Sequence, residues 1–231
     1  MKITFDSFIL SRVVLELRFD DGFLYWDNCG KTISLLRANN PKLKWFKTDV
    51  ELATLKIPED DFEFVFNYKT IRLIQSNISN LSKFKEACME LVPIVVNQFG
   101  IKKFKRIGNR FIYIVKTETL EESEEIIKNI PIIKLPESKL KLFGTKIEKP
   151  NCVFTIAGSD LNYRFEITSV KRNEIPKNYT PDALFQPEFA LLIDIDVFSE
   201  KPIQAEGFLT NEFVHNNNNK IINNLIDFIK P

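Results

Sequence analysis

Apolar and polar positions alternate most strictly in "FEFVFNY", where Phe62, Phe64, Phe66 and Tyr68 share one face at period two. That period is the signature of a strand with one buried side. "TIRLIQS" keeps the same period and predicts a hairpin partner joined through Asn67 to Thr70. The pattern then turns helical. Leu81, Phe84, Cys88, Leu91, Val95 and Phe99 form a continuous stripe, with Ser79 or Asn80 as its cap and Gly100 as its stop. Pro93 falls inside that stripe and predicts a kink, because it removes one backbone hydrogen bond.

The second half continues in kind. "IKKFKRIGNRFIYIVK" reads as a strand, and "TLEESEEIIKNI" opens with Thr119 and Glu122 at capping-box spacing. "KLKLFG", "NCVFTIAG" and "NYRFEITSV" read as strands, and the Pro-containing stretch from Arg172 to Pro187 reads as a long loop. "FALLIDIDVF" is a further strand. A helix from about Phe208 to Ile229 closes the chain, striped by Val214, Ile221, Ile222, Leu225 and Ile229.

Laid side by side, the halves share one element order. The first runs strand ("RVVLELRF"), short helix ("KTISLLRANN"), three strands and a long helix, and the second runs strand, short helix, strands and a long helix. The predicted class is α+β, with an N-terminal unit over 1–100 and a C-terminal unit over 101–231, the two packed as one body or as separate ones. An antiparallel sheet needs one face covered, and a long amphipathic helix can cover it. Two such units resemble the tandem repeat of the TATA-binding-protein fold, or a helix-grip fold. That likeness concerns architecture and implies no activity.

Composition narrows the function classes. Hydrophobic residues make up 44% of the 231 positions and charged residues 27%, the balance of a folded globular chain. The 21 phenylalanines, where they fall at strand spacing, read first as core. With a net charge of +1, attraction to nucleic acid has to be local. The three cysteines form no Cys-x-x-Cys pair, so neither a zinc ribbon nor a disulfide framework is expected, and a cytoplasmic setting fits. "MKITFDSFILSRVV" does not read as a signal peptide, and the apolar runs "LVPIVV" and "FALLI" are too short to cross a bilayer.

Candidate chemistry is sparse. His215 is the one histidine, so a multi-histidine metal centre is excluded and a histidine-assisted nucleophile would have to use that residue. "CGKT" at Cys29 to Thr32 has the end of a phosphate-binding loop, but Tyr25 stands where its first glycine is required. From Ile101 to Lys116, the cations Lys102, Lys103, Lys105, Arg106, Arg110 and Lys116 are interleaved with Phe104, Phe111 and Tyr113. Cations for phosphates and aromatics for bases are what single-stranded nucleic acid requires, whereas lysines on a strand also protect an edge from aggregation. Alternation puts Arg106, Gly108, Arg110 and Ile112 on one side, with the aromatics on the other.

The stretch "LLIDIDVF" puts Asp194 and Asp196 on one face with Leu192 and Phe198. Two carboxylates so spaced can grip Mg²⁺ given a third ligand, for which Glu166 or Asp160 are available. Glu137 and Lys139 in "PESK" have a Glu-x-Lys shape of nuclease type. The competing reading makes the aspartates partners of cations, Arg110 and Arg164 above all, and it fits the acidic balance of the segment from Asp182 to Glu206.

Gly108, Arg110, Phe111 and Ile112, then Asp194 and Asp196, then "FVHNNNN" with His215 resemble a sporadically distributed prokaryotic family of uncharacterised function. Its members carry a Gly-x-Arg-Tyr-Ile-Asn strand, a hydrophobic-Asp-hydrophobic-Asp strand and a His-containing terminal helix. Here Phe111 stands for the usual tyrosine and Tyr113 for the asparagine. Patchy distribution implies an accessory role in defence, toxin–antitoxin or mobile-element systems.

The resulting expectation is a non-enzymatic binding protein without catalytic or metal-ligating residues and without a cofactor, recognising a partner protein. The candidate binding residues are Lys102, Lys103, Lys105, Arg106, Arg110, Tyr113, Arg164, Asp194, Asp196 and His215. The alternative is a nucleic-acid binder using the Lys102–Lys116 strand, or a Mg²⁺-dependent nuclease using Asp194 and Asp196.

Overall fold

The computed structural model describes residues 7–20, 22–78, 80–130, 138, 141–142, 150–175 and 187–229. Glu137 and Lys139, most of "KLKLFG" and most of the stretch between Arg172 and Pro187 lie outside them. Among the described residues the chain is a mixed α+β structure: one large antiparallel sheet, a short two-stranded ribbon and four α-helices.

The first half starts with β1 (Phe8–Arg18) and α1 (Leu24–Asn39). Four strands follow, one more than the pattern predicts: β2 (Lys44–Thr48), β3 (Ala53–Ile57), β4 (Phe62–Phe66) and β5 (Thr70–Ser76). The β4–β5 turn forms because the Asn67 side-chain oxygen accepts from the amides of Lys69 and Thr70, at 2.8 and 2.7 Å. Phe62, Phe64 and Phe66 are buried together, while Tyr68 lies beyond the strand and stacks on Trp26. The long helix α2 spans Leu81–Phe99 with Pro93 inside it. The Asn80 side chain accepts from the Ser82 amide at its start, and Gly100 ends it at a φ of 64°, where a side chain would be strained.

The second half opens with β6 (Lys103–Phe104) and β7 (Arg106–Thr117), so the single basic strand expected from sequence is broken at Lys105. Helix α3 (Leu120–Asn129) follows, and the Thr119 hydroxyl accepts from the Glu122 amide as its spacing predicts. Then come β8 (Asn151–Ala157), β9 (Asn162–Lys171), β10 (Phe189–Ser199), β11 (Ile203–Gln204) and α4 (Thr210–Ile229). Cys29 to Thr32 lie within α1, so "CGKT" forms no loop of any kind.

The sheet order is β2-β3-β4-β5-β1-β7-β10-β9-β8. β1 and β7, which open the two halves, pair antiparallel at its centre, so hydrogen bonding runs unbroken from one half into the other. Strand residues at alternate positions, such as Val13, Leu15, Leu17, Phe111, Tyr113, Ile193 and Ile195, form one core with buried residues from all four helices. The other face carries the remaining positions. At one of its ends Ile114, Val170, Ala190 and Ile175 make a small apolar cluster, and at its middle charged side chains are mixed with Val14, Ile74 and Ile112. Among the described residues no helix is long and apolar enough to cross a membrane.

Because the sheet is buried on one side only, adjacent residues of one strand should differ sharply in their tolerance. Phe64→Ala, in the core, is expected to cost about 3–5 kcal/mol, and Val65→Ala, on the other face, no more than about 1 kcal/mol. Equilibrium urea unfolding of the two variants checks the contrast.

Candidate functional site

The central strands decide which polar side chains meet on the open face. Pairing of β1 with β7 sets Val14 beside Arg110, Glu16 beside Gly108 and Arg18 beside Arg106. On the other flank β5 brings Arg72 beside Glu16. β10 brings Asp196 beside Arg110 and Asp194 beside Ile112, and β9 adds Arg164 and Glu166. Residues that far apart in sequence become neighbours because all belong to the same alternate set, directed away from the helices.

Glu16 is the hub. Its carboxylate accepts from Arg18 Nε at 2.7 Å, from Arg72 Nη2 at 2.8 Å and Nε at 3.1 Å, and from Arg106 Nη1 at 3.2 Å. Arg106 spans to the next strand and donates through Nη2 to Asp196 at 2.9 Å. Its guanidinium also lies over the Phe198 ring, 4.7 Å from the centroid. Gly108 gives it room: a Cβ there would stand 3.0 Å from Arg106 Nη1. Arg110 holds Asp194 with both Nε and Nη2, Nε lying 2.7 Å from Oδ1. Glu16, Arg18, Arg72, Arg106, Arg110 and Asp196, with Arg12, Gly108 and the apolar Val14, Ile74 and Ile112, line an open cavity of about 320 Å³.

The electrostatics of Glu16 and Asp196 run in opposite directions. Burial pushes the Glu16 carboxyl up, but the charges and hydrogen bonds of Arg72 and Arg18 outweigh it, so it titrates below the usual carboxylate range. For Asp196 burial prevails, helped by the neighbouring charge of Asp194 and opposed by Arg106 and Arg110, so it titrates above that range. Asp194 is the more buried of the two aspartates and is held by the bidentate arginine geometry that offsets desolvation best.

The residues expected from sequence divide into three groups. Arg106, Arg110, Asp194 and Asp196 come together as described, and the expected pairing of an aspartate with Arg110 is present. Arg164 shares their face but donates to Glu166, at 3.1 Å, rather than to an aspartate. Tyr113 belongs to the core, where its hydroxyl donates to Asn218. His215 lies on α4, on the helix side of the sheet. Its ring meets Asn219 and Lys85, so it takes no part in a cluster with the aspartates. The Val214, Ile221 and Leu225 stripe binds α4 to the core, and alternation along β10 directs the aspartates the other way. Lys102, Lys103 and Lys105 precede β7 on or beside β6, and Lys105 pairs with Asp20.

Sequence reasoning missed Arg12, Glu16, Arg18 and Arg72. A signal was present: in "RVVLELRF" and "TIRLI" these charges alternate with buried aliphatics, the same pattern that singled out the aspartates. For chemistry, both aspartates are engaged by arginines. Among the described residues no three His, Cys, Asp or Glu side chains group as a metal ligand set. Phe104, Phe111 and Tyr113 are all buried, which removes base stacking from the basic run.

The opposed shifts predict opposed pH behaviour. Glu16, with a lowered folded pKa, contributes stability that is complete above the ordinary carboxylate range and is lost as pH falls through the folded value. Asp196, with a raised one, costs stability when ionised, and that cost disappears as pH falls through its folded value towards that of the unfolded chain. Glu16→Gln should therefore lower the thermal midpoint at pH 7 and Asp196→Asn should raise it, the first difference shrinking as pH falls below about 4 and the second already largely gone there. Thermal unfolding followed by circular dichroism across that range is the measurement. Compared with known proteins, the chain matches no family model and no curated protein.

Proposed function

We propose that this chain is a non-enzymatic binding protein that recognises an acidic segment of a partner protein with the open face of its sheet. The observation that carries this reading is the arginine-lined cavity at the middle of that face, to which β1, β5, β7 and β10 all contribute. Arginine fits such a role because its planar fork pairs bidentately with carboxylates and is less strongly hydrated than an ammonium group. The wall offers Arg12, Arg18, Arg72, Arg106 and Arg110 against Glu16 and Asp196, a local surplus of positive charge in a chain whose net charge is +1. Two engaged aspartates and the lack of a metal ligand set among the described residues argue against the Mg²⁺-nuclease reading.

The architecture belongs to the same proposal. We read the halves as a tandem repeat like that of the TATA-binding-protein fold. In support, the order runs outward from the seam as β1-β5-β4-β3-β2 on one side and β7-β10-β9-β8 on the other, with a long helix closing each half. The likeness leaves the ligand open, and the accessory context suggested by the family resemblance and the cytoplasmic one suggested by the cysteines are likewise part of the proposal.

Products of the adjacent genes, tested one by one against the immobilised chain, supply the experiment. One of them should bind, and charge reversal at Arg72 should abolish the complex while Lys85→Glu, on the helix side, leaves it intact. Binding of DNA or RNA with an affinity that falls steeply with salt would favour nucleic acid instead. A chain that captures none of the products and retards no nucleic acid at low salt overturns the reading.

A further inference from the structure

Given a partner protein at the open face, the chemistry of the cavity narrows the group on that partner that enters it. We propose that the cavity at the β1/β7 seam seats a phosphate monoester carried on a side chain of the partner protein, with Glu16 as an internal competitor for the same guanidinium groups. The proposal rests on recognition by that face and goes one step further, to the ligand's anchor.

Charge is the first argument. A carboxylate brings one negative charge, whereas a phosphate monoester brings about −1.5 to −2 at pH 7 and three strong acceptor oxygens. Five arginines line the wall against two acids, with Arg110 also bound to Asp194 beside it, and the surplus of positive charge favours the more highly charged group. Donor capacity is the second. Each guanidinium has about five N–H donors. Glu16 takes one from Arg18, two from Arg72 and one from Arg106, and Asp196 takes another from Arg106. The network already demonstrates that these three arginines can converge on a single anionic group, because Glu16 is that group.

Shape is the third argument. At about 320 Å³ the cavity is larger than a bare phosphate needs, and Val14, Ile74 and Ile112 provide apolar contact for the body that carries the phosphate. Gly108 leaves the floor low, so that Arg106 lies over the strand and reaches both Glu16 and Asp196. Entry of a phosphate draws Arg72 and Arg106 away from Glu16, whose own charge then opposes the ligand. Removing that charge therefore strengthens binding rather than weakening it. This sign separates a competitor from a residue that merely orients the arginines.

The test is calorimetric titration of the full chain at low salt with inorganic phosphate, phenyl phosphate and adenosine monophosphate. Phosphate and phenyl phosphate should bind, the latter more tightly through its apolar ring. Arg72→Gln and Arg106→Gln should each weaken phenyl phosphate binding about tenfold or more. Glu16→Gln should tighten it, and Arg164→Gln, on the same face but bound to Glu166, should leave it unchanged. Should Arg106→Gln fail to fold, Arg72→Gln carries the same test from a half-exposed position. No binding by the wild type, weakening by Glu16→Gln, or equal weakening by Arg164→Gln overturns the proposal. Adenosine monophosphate binding well above phenyl phosphate would overturn the partner-protein source. A partner held equally well before and after phosphatase treatment would overturn the phosphoryl anchor and leave the recognition face standing. Phosphate bound in the cavity with no partner captured would do the reverse.

Discussion

Everything in this molecule depends on the antiparallel pairing of β1 with β7. Each half alone would end its sheet in an exposed edge at that strand, with a row of unpaired amides and carbonyls. Joined, the two edges become an interior pair of a nine-stranded sheet, and a single hydrophobic core extends across the seam. The pairing also fixes register. A slip of one residue would turn Leu15 and Phe111 outward and Glu16 and Arg110 into the core, so burial of one face determines which charges meet on the other.

That constraint explains the composition of the open face. The central strands cannot be long, uninterrupted apolar runs, because one of their sides is not covered by helices. Many of their outward positions are charged, and they crowd together at strand spacing, about 5 Å apart. Like charges at that spacing repel. Glu16 placed among Arg18, Arg72 and Arg106, and Asp194 and Asp196 placed beside Arg110 and Arg106, relieve the repulsion strand by strand. Asp194 is buried by its neighbours and needs its bidentate partner. Asp196 is less well compensated, and its raised titration records that.

Local structure was legible wherever one residue type had one job. The alternation of Phe62, Phe64 and Phe66, the Asn67 turn and the Gly100 stop all follow from short-range chemistry, and all are present, and of the two caps the pattern allowed Asn80 is the one used. The facing of Arg106, Gly108 and Arg110 and of Asp194 and Asp196 followed from period two alone. Other features depend on partners distant in sequence. β2 was not legible, since its residues are all exposed and its pairing with β3 rather than a buried face defines it. The break at Lys105 depends on β6 pairing with β11, which lies far later in the chain. Glu16 could be seen as an odd charge in an apolar strand, but nothing local says that β5 and β7 flank it. His215 misled for the converse reason: its helix comes soon after Asp194 in the chain, while the sheet stands between them.

On the reading proposed above, the acid–arginine network serves recognition as well as stability. Taking charges out of water costs several kcal/mol per ion, and replacing a buried ion pair with apolar residues of similar volume is often neutral or stabilising. The same chain shows that it can solve an outward position apolarly: Ile114, Val170 and Ala190 do so at the end of the face, under Ile175. At the centre it retains arginines instead, around a cavity, with a glycine at the position where a side chain would displace one of them. Asp194 and Asp196 hold Arg110 and Arg106 in fixed geometry, which reduces the entropy that a ligand would otherwise have to remove from long, free side chains, while Glu16 occupies donors that a ligand would take. Preorganised cations around an open cavity are what an anion-recognition site needs, and a stabilising device needs neither the cavity nor the glycine.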